Sequence, residues 1–236
     1  MSIAKLREAL QDVHVIELGQ YLEENMPTHP SHSRFFKNVW SSFETGGAYF
    51  ANQIILNEHN GTHADSFGHF MNKPGYELID EIPAEAFCGP CVTIDASFLK
   101  DREPLNEEHI IAWEQKNADI QRGEIVLIDF NWMRFWALRP NEGRFCSDFP
   151  GVGRSGAEYF VKRGVKMVGV DTLGVDVDKA PGDPAHNVLL SNRIPIVENL
   201  RNLDKLRGKK AYFIALPLLI RGGSGSPVRP IALVDG

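Results

Sequence analysis

The sequence predicts a mixed, β-rich α/β domain. Short β-branched and apolar segments recur along the whole chain, only two segments carry helix signals, and the spacing lacks the regular alternation of a doubly wound sheet. With 236 residues and 43% hydrophobic content the chain can bury a substantial core. No long Gly/Ser/Pro-rich linker divides it, so residues 1–236 are expected to form one domain.

Taken in order, the β-rich segments are Val13 to Leu18, Phe50 to Leu56, Val92 to Asp95, Ile125 to Phe130, Lys166 to Asp171, Ile194 to Glu198, Ala211 to Leu216 and Val228 to Val234. The first helix signal is Asn106 to Lys116, where an Asn cap precedes Glu107 and Glu108 and the helix dipole favours acids. The second is Ser155 to Arg163, with a Ser cap, Glu158 three residues on, apolar Tyr159, Phe160 and Val161, and Gly164 as a stop. Cys88-Gly89-Pro90-Cys91 spells a redox motif, but such a pair opens a helix, and here it runs straight into β-branched Val92-Thr93-Ile94-Asp95. Gly-Pro is therefore expected to be turn punctuation.

A net charge of −6 and a pI near 5.8, with 25 basic residues scattered along the chain, leave no footprint for nucleic acid and favour a small-molecule substrate. The longest apolar run, Ala211 to Ile220, contains Pro217 and is too short to span a bilayer, and the first residues lack a signal-peptide stretch. Three cysteines are too few for a disulfide framework, so a cytoplasmic location without membrane attachment is expected.

The chemistry is concentrated in one segment. His59, His63, Asp65 and His69 fall within eleven positions, around Gly61, in a chain with eight histidines. Imidazole and carboxylate hold zinc, manganese or ferrous iron, and the absence of thiolates here favours an open catalytic site over a closed structural one. On a continuous helix Asp65 would point away from His63, so a loop bent at Gly61 and following the strand at 50–56 is expected. The competing reading is a set of histidines that merely hydrogen-bond in a loop. Further ligands must come from elsewhere; His186, in a loop-like patch from Asp183 to Asn187, and Glu198, at the end of a short strand, are the candidates, and spacing alone leaves them open.

The pattern His59-x-Gly61-Thr62-His63-x-Asp65 with His69 resembles the signature of the metal-dependent cyclase family, which includes bacterial kynurenine formamidases and isatin hydrolases. The resemblance continues through 123–128, 164–173, His186 to Leu200 and Leu216 to Arg229. It implies that His186 and Glu198, twelve residues apart, complete the metal site. By position, His59, His63, Asp65 and Glu198 would hold one divalent ion, and Asp65, His186 and Glu198 a second, with the carboxylates bridging and His69 as general acid/base. It also implies a swivelling β/β/α-type fold and a homodimer or homotetramer with the active site near a subunit interface. Two departures change the site's walls: Ser66-Phe67 stands where the family usually has Ala-Pro, and His29 precedes Pro30 where the formamidases carry a tryptophan, so the resemblance leaves N-formylkynurenine open as the substrate.

A divalent metal, zinc or manganese, as one or two ions, lowers the pKa of bound water and polarises a carbonyl, so this ligand set suits hydrolysis of a formamide, amide or lactam. His69, four residues beyond Asp65, with a near-neutral pKa, suits proton relay to the leaving nitrogen, against the alternatives of a fifth ligand or a packed structural histidine. Phe35, Phe36, Trp40, Phe67 and Phe70 could line a pocket for a planar substrate, and His29 and His32 could contact it, although such residues are more often core and surface loop. Asp171, Asp176 and Asp178 are read as structural hydrogen-bonding groups. The rival functions are a lyase or cyclase abstracting a proton at the same centre, and a non-catalytic ligand-binding member of the fold.

Overall fold

The computed structural model describes residues 3–71 and 73–235. The strands are β1 (Val13–Glu17), β2 (Phe36–Ser41), β3 (Ala51–Ile55), β4 (His63–Asp65), β5 (Cys88–Asp95), β6 (Pro104–Leu105), β7 (Ile125–Asp129), β8 (Gly151–Val152), β9 (Met167–Val170), β10 (Ile196–Glu198), β11 (Ala211–Ile214), β12 (Gly225–Pro227) and β13 (Ile231–Asp235). The helices are α1 (Ile3–Ala9), α2 (Glu107–Glu114), α3 (Arg154–Arg163) and α4 (Pro184–Ser191). Nine strands form one mixed sheet in the order β1-β13-β11-β5-β7-β9-β10-β4-β12. Its centre, β5-β7-β9-β10, is parallel, and both flanks are antiparallel.

The parallel centre corrects one expectation. From residue 88 to 198 strands and helices do alternate, because each parallel pair needs a crossover and α2, α3 and α4 supply one each. Within β7 the period of two divides the core: Val126 and Ile128 face the layer that holds α2, α3 and α4, while Ile125 and Leu127 join a second cluster with Phe87, Leu206 and Phe213.

All eight expected β segments contain a strand, but β4, β8 and β12 are too short to announce themselves. β3 belongs to a separate hairpin with β2, outside the main sheet. Pro90 lies inside β5, at a position flanked by β11 alone, where a missing N–H costs no pairing; the Gly-Pro turn expected there does not form. Ser155 does not cap α3, whose N-cap is Gly153; its hydroxyl instead accepts from the Glu107 N–H (3.3 Å) and donates to Asn106 Oδ1 (3.1 Å), tying the start of α2 to α3. Gly164, at φ +70°, ends α3 as expected. The patch around His186 is not a loop. Pro184 sits at the first position of α4, where its missing N–H is harmless. Among the described residues no helix is long and apolar enough to cross a membrane.

Candidate metal centre

Two antiparallel strands build the floor of the site. In the β4–β10 register, His63 lies opposite Glu198, and Asp65 opposite Ile196. Period two therefore puts His63, Asp65 and Glu198 on one face, while Ala64 and Val197 pack into the core beneath. The ligand stretch is thus half strand, and His63 and Asp65 are brought together by pleating rather than by a bent loop. α4 lies on the same face and adds His186; His59 reaches in from the turn before β4, where Gly61 takes φ +63° beside the Leu22 side chain.

Side chains from β4, β10 and α4 crowd together here. His63 Nε2 lies 3.5 Å from Asp65 Oδ1 and 3.4 Å from Glu198 Oε2, and His186 Nε2 lies 3.5 Å from Asp65 Oδ2 and 3.2 Å from Glu198 Oε1. These lie at or beyond the long end of N–H···O bonds and fall near the roughly 3.3 Å edge of a tetrahedron with metal–ligand bonds of about 2.0–2.1 Å. Each carboxylate turns one oxygen to each imidazole. His59 Nδ1 is 2.7 Å from Asp65 Oδ1. Asp65 Oδ2 is buried and accepts no hydrogen bond, an orphan that a cation would satisfy. The donor set fits a divalent metal.

The surroundings aim these groups. The His63 Nδ1–H donates to Gly61 O (2.9 Å), leaving Nε2 free, and Asn199 Nδ2 donates to the same carbonyl (2.9 Å). His186 Nδ1 is held by Asp176 Oδ2 at 2.6 Å, a carboxylate–histidine pair of the kind that orients metal ligands. Asp176 Oδ1 also accepts from the Ala185 N–H (2.6 Å) and so secures the start of α4. His59 Nε2 meets Ser224 Oγ (2.9 Å), whose hydroxyl donates to Glu58 (2.7 Å).

Electrostatics follow the geometry. Burial alone would lower the pKa of His63 and of His186, yet Glu198 and Asp65 raise the first, and Asp176, Asp65 and Glu198 raise the second well above its usual range. Burial and Asp65 would raise Glu198, but His186 and His63 bring it down to about 2. Asp65 is held well below the carboxylate range by His186 and His59 against its burial. His69 differs from the near-neutral imidazole expected, because burial and its neighbours His59 and His186 push it down to about 4 against the pull of Asp65. Its ring stacks on His59 with centroids 3.9 Å apart, and His59, Asp65 and His69 offer ligand atoms within 4.8 Å of one another.

A cavity of about 780 Å³ opens over the cluster. His29, His32, His59, His69, His186 and Glu198 line it, with Phe70, Phe149, Leu173 and Val177 as apolar wall. The aromatic group expected there is largely elsewhere. Phe35 and Phe67 are buried outside the lining, Phe67 in the core under the sheet, and Phe36 and Trp40 are exposed on the hairpin; Phe70 alone of the five faces the cavity. Ser224, Phe149 and Lys179 carry no sequence signal, since each enters from a loop far along the chain.

Comparisons with known proteins agree with this architecture. The sequence profile of the family described as putative cyclase matches residues 16–177. The chain is 30% identical to the isatin hydrolase of Roseibium aggregatum, over 94% of this chain and 92% of that protein. It is 29% identical to the kynurenine formamidase of Bacillus cereus, covering 92% of this chain and 95% of that one. The structure of isatin hydrolase A from Ralstonia solanacearum superposes with a TM-score of 0.91 at 29% identity, over 100% of this chain and 98% of that one. The chain belongs to the putative cyclase family.

Proposed function

We propose that this protein is a metal-dependent hydrolase that cleaves the C–N bond of a formamide, amide or lactam in a small aromatic substrate. The single observation that carries this is the set of two buried carboxylates shared between two imidazoles at 3.2–3.5 Å beneath a cavity. The names of the relatives, isatin hydrolase and kynurenine formamidase, support the bond type. His59, His63, Asp65, His186 and Glu198 are the proposed ligands of one or two divalent ions, zinc or manganese. A divalent cation bound there supplies Lewis acidity, lowering the pKa of water and polarising a carbonyl.

His69 is the proposed proton carrier. Neutral at physiological pH, it accepts a proton at a ring nitrogen, and its low pKa makes the protonated form a ready donor to a leaving nitrogen. Phe70 and Phe149 give an aromatic ring an apolar seat. His29 supplies a polar rim.

The test is elemental analysis of purified protein coupled to a formamide, amide and lactam panel after exchange into zinc or manganese. The expected result is bound metal and release of a carboxylic acid and an amine. Metal-replete protein that hydrolyses no member of the panel contradicts the reading.

Self-association belongs to the same proposal. The β2–β3 hairpin exposes Val39, Trp40, Phe43 and Phe50 at 61–71%, more apolar surface than a two-stranded ribbon leaves to water. A second copy of this chain, as homodimer or homotetramer, is the proposed cover. Three free cysteines accord with a cytoplasmic location.

A further inference from the structure

Asn199 directly follows β10 and takes φ +60°, a left-handed conformation that few residues besides Gly, Asn and Asp adopt at small cost. Its carboxamide is buried and reaches back to the turn before β4. There Nδ2 donates to Gly61 O (2.9 Å), the carbonyl that also accepts from His63 Nδ1 (2.9 Å). The Thr62 hydroxyl donates to Asn199 O (2.8 Å) and accepts from the Gln20 N–H (2.8 Å). Each segment is thus strapped to the other's main chain by one of its own side chains, across 137–138 residues of sequence.

Two requirements meet at this position. Glycine would suit the backbone but supply no donor, and aspartate would suit it but, ionised, turn only acceptors toward Gly61 O. The carboxamide is kept although its Oδ1 is buried and accepts no hydrogen bond from the protein, a cost set against what Nδ2 holds in place. We propose that Asn199 is a positioning residue of the candidate metal centre: it fixes Gly61 O as the acceptor of the His63 Nδ1–H and so holds the His63 ring with Nε2 toward Asp65 and Glu198. This rests on the metal-dependent hydrolase reading above. Asn202 is the natural comparison, because it has φ +59° and its Nδ2 donates to Glu17 O (2.8 Å), which belongs to β1 and not to the centre.

The experiment makes two measurements on wild type, Asn199→Gly and Asn202→Gly: affinity for zinc and for manganese by competitive chelator titration, and the hydrogen-exchange lifetime of the His63 Nδ1–H by NMR of the metal-free protein. The expected result for Asn199→Gly is metal affinity weaker by about 10–100-fold and a lifetime shorter by roughly tenfold, the worth of one buried hydrogen bond. Asn202→Gly is expected to keep both at the wild-type level. An affinity or a lifetime unchanged in Asn199→Gly, or an equal loss in Asn202→Gly, overturns the proposal. If wild type binds neither metal the metal-dependent reading fails by itself, and the lifetime then decides: shortening in Asn199→Gly alone supports the positioning of His63, and equal lifetimes overturn it. Should Asn199→Gly not fold, Thr62→Val, which cuts the reciprocal bond and keeps the side-chain shape, takes its place: a shorter lifetime supports the strap and an unchanged one overturns it.

Discussion

Asp65 is the residue on which the proposed centre turns, since it meets His59, His63 and His186 at once and still has an orphaned oxygen. Asp65→Ala is expected to empty the site, whereas His69→Ala keeps its metal and loses turnover by about 10²–10⁴-fold. Metal content beside kcat separates the two, and an active His69→Ala enzyme removes His69 from the mechanism. Asp176 acts one step back, through the 2.6 Å contact to His186 Nδ1. Asp176→Ala is expected to weaken metal affinity by about 10–100-fold with the fold intact, and competitive chelator titration measures it. The proposed ligands in 59–69 were legible because they sit close together in the chain, while His186 and Glu198 stood as open candidates by residue type until a family resemblance singled them out. Asp176 carried no signal for its second role, because orienting a histidine ten residues away depends on how loop and helix dock.

Elements whose residues repeat were legible, and elements made by their neighbours were not. The runs in β5, β7 and β9 carry β-branched side chains in number, but β4 and β12 have three residues each and exist because they pair with one another. The helix α4 was hidden for a similar reason, its first turn being secured by Asp176 rather than by a local cap. Asp171, at the end of β9, shows how such support responds to pH. It is buried, accepts from the N–H groups of Phe130, Trp132 and Met133, and is pushed up to about 7 by burial and by Asp129. The native state holds its proton more tightly than the unfolded chain, whose carboxyl titrates near 3.9, so the stabilisation is complete below about pH 4 and is lost as pH rises to about 7. Denaturant unfolding of wild type and Asp171→Asn across this window is expected to show the wild-type advantage shrinking by up to about 4 kcal/mol, then levelling. A difference that does not vary with pH contradicts this account of Asp171.

For the whole molecule, fold class was readable from the recurrence of short strands, while sheet order was not, since pairs such as β1–β13 join the two ends of the chain. The exposed hairpin makes a prediction at this scale. Trp40→Lys with Phe50→Lys is expected to convert an oligomer to monomer in light scattering without loss of folding, because both side chains are outside the core; a wild-type protein that is already monomeric contradicts it. The central claim is that acids and imidazoles from β4, β10 and α4 converge on a cation. Anomalous diffraction at the metal edge, from crystals grown with zinc or manganese, tests it most directly. The expected result is a peak at bonding distance from Asp65 and Glu198 together with His63 or His186; a metal-saturated crystal with no peak among these four side chains contradicts it.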